Sequence, residues 1–272
     1  MNRTHPIPTC PLGDRSASDW TDAEWALVEP LMPAVRPVGR PRRTDLHGVS
    51  DAILSTATTG CQWRMLPDDV PPVSTVHGCF CAWRRDGLPE GINGKPIRIA
   101  RLAEGRKAAP MADIIDSQSV KATESRGVTG YGTGKRIKGR KRHIVTDTTG
   151  LPVATRVHSA GIQDRGGAPD VLAVVAARCP MLRHIFADGG HAGPKLRDAL
   201  KAAGRWTVRI VKRSDIANGF AGLPRRWVAG RTLAWPGRCR HPSKDRERSI
   251  ASAKAWALIA RIRRVTRYLA RI

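Results

Sequence analysis

Two short acidic motifs carry the chemistry this chain could do. In Met111–Lys121, M-A-D-I-I-D-S-Q-S-V-K, Asp116 follows an apolar run containing Ile114 and Ile115 and sits where that run gives way to small polar residues. β-Branched residues favour strands, so the run reads as a buried strand with a carboxylate at its end. In Leu182–Gly193, L-R-H-I-F-A-D-G-G-H-A-G, a second apolar strand delivers Asp188 into a glycine-rich turn that a helix follows. Mg²⁺ prefers carboxylate and water oxygens, takes one or two carboxylates from a protein, and leaves substrate phosphates to complete its shell. Asp116 and Asp188 are therefore read as a candidate metal pair. Both positions also suit turns and helix caps, because an Asp oxygen accepts local backbone N–H groups.

Stepping outward, the chain has 272 residues, enough for one or two cores, and 47 Lys and Arg against 23 Asp and Glu give a net charge of +24. Such an excess implies a polyanionic partner with a steep salt dependence, although charge alone does not separate DNA from RNA. No apolar run approaches the length of a membrane span, and no apolar leader follows a basic start. A cytoplasmic protein is expected. The six cysteines form no C-x-x-C pair, which argues against a zinc ribbon or a disulfide scaffold. His77, Cys79 and Cys81 invite a zinc reading, but no fourth ligand is in spacing and an amphipathic helix is the simpler account.

Residues 1–18 show no periodicity and read as a loose tail. Residues 19–87 read as a small all-α domain. Thr21 and Glu24 make a capping box for a first helix that Pro30 and Pro33 stop. Leu46–Thr59 is a second helix with Gly60 as its stop, and Ser74 can cap a third that carries Val76, Phe80 and Trp83. Helix, turn, helix in a basic setting suggests docking on DNA. Arg40, Arg42 and Arg43 have the composition of a minor-groove arm or of a solvated basic linker, and Arg84 and Arg85 end the third helix. Residues 88–110 hold glycines and prolines without a clear period and read as a linker.

From 111 to 272 the pattern predicts strands and helices that build a mixed sheet flanked by helices. After the Asp116 strand, Lys135, Arg136, Lys138, Arg140, Lys141 and Arg142 lead into a strand His143–Asp147, hairpinned to Val153–His158. So dense a basic edge beside a phosphoryl-transfer site favours a phosphate track over solvated surface. Asp147 and Asp164 are further acidic candidates, but both occupy turn-like settings that capping explains. Ser249–Ala270 reads as an amphipathic helix with Arg261, Arg263, Arg264, Arg267 and Arg271 on its other face.

Four ordered motifs, D-S-Q-S-V-K, G-T-G-K-R-I-K-G-R-K-R-H-I-V-T-D-T-T-G-L-P, F-A-D-G-G-H-A-G and L-P-R-R-W-V-A-G-R-T-L-A-W, resemble the DDE transposases of bacterial insertion sequences, in the group named after insertion sequence five. The likeness runs from about Trp20 to the C-terminus. It implies an α/β, ribonuclease-H-like fold in which Asp116 and Asp188 are the first two catalytic carboxylates and hold two Mg²⁺ ions, or Mn²⁺. It further implies that Arg226 and Arg231 face DNA, that the partner is double-stranded DNA as terminal inverted repeats and target, and that the working form is a homodimer.

The chain departs from the family pattern where a Glu is expected, because Gly230 stands there. Beyond Gly222 the only acidic residues are Asp245 and Glu247, and a straight helix would put them roughly 25 Å away at 1.5 Å per residue. Pro236 and Pro242 fall in the region expected to be helical, and Pro89 replaces an aromatic residue that opens a family helix. The resemblance thus implies a transposase with impaired catalysis. The alternatives are a non-catalytic DNA-binding remnant that blocks an active relative, and a general nuclease.

Overall fold

The computed structural model describes residues 16–34, 42–124, 127–203, 206–211 and 226–271. Its helical region starts as the sequence dictates. The Thr21 hydroxyl accepts from the Glu24 N–H while the Glu24 carboxylate accepts from the Thr21 N–H, and this box opens α1 (Asp22–Val28). Asp45 accepts from the His47 and Gly48 N–H groups to open α2 (Leu46–Thr59), which Gly60 ends with φ at 71°. A left-handed φ carries no steric cost at glycine. Helix α3 (Val73–Arg85) starts directly after Pro72, so Ser74 lies inside it rather than at its cap.

The stretch 88–110, expected to be a linker, instead carries α4 (Leu88–Ala103). Pro89 sits in its first turn, where the N–H that proline lacks has no intrahelical partner in any case. The substitution therefore does no local damage. Pro96 lies further inside the helix.

These helices do not close their own core. Trp20, Val28, Val49, Ile53, Phe80 and Ile92 pack against Trp256, Ile259 and Ile262 of the C-terminal helix. Trp256 stacks on Phe80 at 4.6 Å between ring centroids, and its indole N–H donates to Glu247 at 2.9 Å.

The sheet has six strands: β1 (Ala112–Lys121), β2 (Gly130–Gly132), β3 (Ile137–Asp147), β4 (Pro152–Ser159), β5 (His184–Ala187) and β6 (Thr207–Ile210). β3 runs antiparallel to β1 along one edge and pairs with β2 and β4, also antiparallel, along the other. β5 is parallel to β1, and β6 is parallel to β5. Successive strand side chains point to opposite faces, and β1 shows this directly. Ile115 joins the core under α5 (Asp164–Arg178) and α6 (Pro194–Ala203), whereas Ile114 joins Val228 and Ala229 of α7 (Arg226–Ala234). The sheet is thus mixed, with helices on both faces.

Pro236 opens a single 3₁₀ turn after α7, and Pro242 lies in the four-residue α8 (Arg240–Ser243), so the expected helix is broken there. Helix α9 (Ile250–Leu269) follows, with the Ser249 hydroxyl accepting from the Ser252 N–H. Its arginine face is divided: Arg264, Arg267 and Arg271 are exposed, whereas Arg261 and Arg263 are internal. Arg261 is buried and donates to Thr155 on β4, and buried Arg263 donates to Thr58 and to the Ala17 carbonyl. α9 therefore wedges between the helical region and the sheet. None of the described helices is long and apolar enough to cross a membrane.

Candidate metal centre

Asp116 is not at the end of its strand, because β1 continues to Lys121 and pairs Asp116 with Ile144 of β3. What ends there is the neighbouring strand. The parallel register of β1 and β5 runs Ala112 to His184, Asp113 to Ile185 and Ile114 to Phe186. Asp116 and Asp188 each lie two residues beyond the last pair, Asp116 still within β1 and Asp188 just past the end of β5. Both are half-buried. By alternation Asp116 shares the face of Ile114 and Phe186, the face that α7 covers.

Asp188 precedes the 3₁₀ turn Gly189–His191, which folds His191 back so that its Nδ1 lies 2.6 Å from an Asp188 carboxylate oxygen. His191 is fully buried. Its ring meets the His143 ring edge-on at 5.5 Å.

A third carboxylate, Asp164, lies near Asp188. Asp164 is the first residue of α5, after Gln163, whose side chain makes no capping hydrogen bond. One Asp164 oxygen accepts from the Ser117 hydroxyl at 2.7 Å and from the Lys141 ammonium at 2.8 Å, on the sheet face opposite Asp116. Its other oxygen lies 3.0 Å from the point where a Cβ on Gly190 would sit, and an Asp188 oxygen lies 3.2 Å from the same point. The missing side chain at Gly190 thus leaves a gap that both carboxylates face. Burial pushes the Asp164 carboxyl upward, but the hydrogen bonds from Lys141 and Ser117 outweigh it and hold the pKa below the usual range. Capping accounted for Asp164 on sequence, and only its proximity to the D-G-G turn could have separated it from an ordinary cap. Asp147 does behave as a turn former. It accepts from the Thr149 and Leu151 N–H groups and pairs with Arg101.

Behind Asp164 stands a pair of neutral histidines. His158 Nδ1 is 2.8 Å from the Ser159 carbonyl and must donate to it, so its Nε2 accepts from His143 Nδ1 at 2.7 Å. This assignment follows from the network. Burial, together with the nearby His191 and His158, pushes the His143 pKa down to about 3, and burial also lowers that of His158. His143 Nε2 is then an unprotonated lone pair, buried without a hydrogen-bond partner among the described residues and 3.9 Å from Asp164.

The expected phosphate track divides. β3 begins at Ile137, earlier than expected, so the basic run lies inside a strand and much of it is buried. Arg140 is fully buried, bonded to Asp245 at 2.9 Å and to the carbonyls of Val128 and Arg248. Arg142 donates to the Pro242 carbonyl, and burial pushes its pKa down to about 10. These two are internal struts and not groups that meet a phosphate. Lys141 is also buried, spanning Asp164 and the Ile162 carbonyl. Lys135, Arg136 and Lys138 are exposed, and Lys135 reaches the Ser117 carbonyl at 3.3 Å. A cleft of about 370 Å³ is lined by Lys135, Lys141, Asp164, Arg165, Gly189 and Gly190.

Elsewhere Arg43 is exposed, and exposed Arg42 donates to the Pro33 carbonyl. Arg84 is half-buried against Ser252, while Arg85 is exposed beside Asp86. Arg231 is exposed over the Trp227 ring at 4.5 Å and donates to the Thr149 carbonyl. Arg40 lies outside the described residues, and only the backbone of Arg226 is described.

Gly230 is exposed on α7, and a Cβ built there meets no atom within 4 Å. Asp245 and Glu247 are engaged elsewhere, with Arg140 and with His241 and Trp256. Among the described residues no group of three or more His, Cys, Asp or Glu side chains is arranged to hold one metal ion. The donor set is nevertheless of the right kind. Paired carboxylates at one rim, with an open gap at Gly190, suit a hard, oxygen-seeking cation.

The family described as "Transposase DDE domain" matches residues 111–263, and the family described as "Putative transposase of IS4/5 family" matches residues 20–93. A curated relative, "Putative transposase for insertion sequence element IS402" of Burkholderia cepacia, is 30% identical over 113 residues, which are 38% of this chain and 51% of the relative. The chain thus spans about half the length of the curated relative it matches. No solved structure matches it. On the breadth of the first match and the order of its motifs, the chain belongs to the transposase DDE domain family of bacterial insertion sequences, within the IS4/5 group.

Proposed function

We propose that this transposase has a ribonuclease-H-like catalytic domain and that it binds the terminal inverted repeats of its element as a homodimer, then cuts and joins DNA with Mg²⁺ or Mn²⁺. The observation that supports the reading is the register of β1 and β5, which, continued two residues past its last pair, leads to Asp116 and Asp188. Bound divalent cations supply Lewis-acid chemistry for in-line phosphoryl transfer. The chain's own part is to fix the carboxylates and to receive the DNA backbone. His191 holds Asp188 in one orientation, and Ser117 donates its backbone N–H to Asp116 at 2.7 Å. Exposed Lys135, Arg136 and Lys138 beside the cleft, with Arg42, Arg43, Arg85 and Arg231 further out, offer phosphate contacts. Such contacts position DNA without reading its sequence.

Gly230 favours impaired catalysis, since no carboxylate projects from the exposed face of α7. The test is Mg²⁺-dependent cleavage of a duplex that carries the element's own ends. Gly230→Glu fits without a clash and is expected to cleave faster by about 10- to 100-fold, the range that a supporting group at a metal site is worth. Equal rates for the two proteins would overturn the impairment. The second reading, a DNA-binding protein without catalysis, gains from the same open position. It is supported by end-specific binding that survives EDTA with no cleavage at any Mg²⁺ or Mn²⁺ concentration.

A further inference from the structure

Given that the chain binds duplex DNA as proposed, we infer that the exposed face shared by α7, the 3₁₀ turn Pro236–Arg238 and the end of α9 is a second phosphate-binding surface, on which two indole rings hold arginine side chains in place for the backbone of a duplex.

The surface starts from the pattern of α7. Val228, Ala229, Thr232 and Leu233 are buried, which leaves Trp227, Gly230, Arg231 and Ala234 outward as one helix face. The Trp227 side chain is 50% exposed, and the Arg231 guanidinium lies 4.5 Å from its ring centre and 5.5 Å from that of Trp235. Pro236 opens the turn that follows, and from α9 the Arg264 guanidinium lies 3.8 Å from the same Trp235 ring. All three distances are within the range of a cation held over an aromatic face. Trp227, Arg231, Trp235 and Arg264 therefore form one connected series of rings and cations across two helices.

A guanidinium held by its flat face keeps N–H groups at its edge, and that edge matches the oxygens of a phosphate. Arg231 spends one of these on the Thr149 carbonyl. The charges are also crowded. Partial burial, and then the neighbouring Arg231, Arg238 and Arg271, lower the Arg264 pKa. Of the arginines on this face, only Arg267 has a carboxylate beside it among the described residues, Glu24 at 3.3 Å. Like charges gathered without partners repel, and a row of phosphates relieves the repulsion while releasing its own counterions. A second copy of the chain is a poorer partner, since it too carries a net charge of +24. α7 lies on the sheet face of Asp116, with Gly230 in its outward row, so the surface adjoins the proposed site of cutting.

The experiment is binding of the full chain to a duplex of the element's end, followed by fluorescence anisotropy over a range of salt concentrations with EDTA present. Arg238→Gln combined with Arg264→Gln removes two phosphate contacts and is expected to make the slope of log affinity against log salt shallower by about 1.8, at about 0.9 per contact. Trp235→Leu keeps every charge but removes the ring that orients two arginines. It is expected to weaken binding by about 3- to 10-fold with the slope unchanged. Melting temperatures equal to the parent's show that the variants are folded, and where Trp235→Leu melts lower, Trp227→Leu at the more exposed ring takes its place. A double variant with the parent's slope, while Lys135→Gln with Lys138→Gln makes it shallower, would overturn this inference alone. Tighter binding to vesicles of anionic lipid than to the duplex, lost in the double variant, would assign the surface to a membrane and overturn it as well. No duplex binding by the unaltered chain would overturn the DNA reading and this inference together.

Discussion

Asp113 and Asp116 sit three residues apart in one strand, so they point to opposite faces and meet opposite fates. Asp116 reaches the rim of the sheet. Asp113 is fully buried, and neither of its oxygens has a hydrogen-bond partner among the described residues. Burial pushes its pKa up to about 8, the neighbouring Asp147 adds to the rise, and Arg101 opposes it. The folded protein therefore holds a proton at Asp113 that the unfolded chain releases above its ordinary value of 3.8. Between those two values the folded state binds more protons than the unfolded one, so stability falls as pH rises, by roughly 1.4 kcal/mol per unit from this group. Asp113→Asn mimics the protonated form. Its melting temperature is expected to exceed that of the parent at pH 8 and to approach it near pH 4. Equal pH dependence of melting for the two proteins would show that Asp113 does not titrate in this window. The two rim aspartates were legible in the sequence because strand-like runs lead to them. Asp164 was not, because a helix start explains an aspartate with no reference to what lies opposite.

Helix α5 owes its close seat on the sheet to a glycine. A Cβ on Gly167 would lie 2.5 Å from His158 Nε2 and 2.7 Å from His143 Cε1, whereas one on Gly166 would lie 3.5 Å from Ile162. Two adjacent glycines in one helix are thus expected to respond with opposite signs. Gly166→Ala gains helix propensity worth about 0.5–1 kcal/mol. Gly167→Ala forces the histidine pair apart and costs about 1–3 kcal/mol, as overpacking does. Thermal melts of the two variants check this, and a stable Gly167→Ala would mean that α5 can lift without cost. The same scale shows where sequence reading failed. Capping residues and Gly60 placed α1 and α2 closely, since their signals are local. α4 was missed because its glycines and prolines read as breakers, although Pro89 lies in a turn that tolerates it. β3 starts at Ile137 and not at His143, because a basic run that reads as a phosphate track carries no apolar alternation to mark it as strand. Arg140 and Arg142 are internal because partners distant in sequence, Asp245 and the carbonyls near Pro242, receive them.

Across the whole molecule, part of the basic excess is spent inside. Arg101, Arg140, Arg142, Arg261 and Arg263 are all buried and join segments far apart in sequence. α9 draws the two regions into one body, since Trp256 and Ile259 complete the N-terminal helical core while Arg261 holds β4. A fragment ending after Ala103 would lack those side chains and expose the apolar faces of α2 and α3. It is expected to give a weakly helical, non-cooperative melt by circular dichroism. A sharp, two-state transition from that fragment would show that the helices need no help from α9. Because synthesis proceeds from the amino end, the helices before Ala103 wait on the ribosome for α9 before they can settle, at least several seconds at typical elongation rates. A nonsense or frameshift lesion anywhere upstream of α9 then removes both halves at once. A natural antagonist descended from this chain would have to arise by substitution in a copy that keeps α9, as at Gly230, and not by loss of that helix.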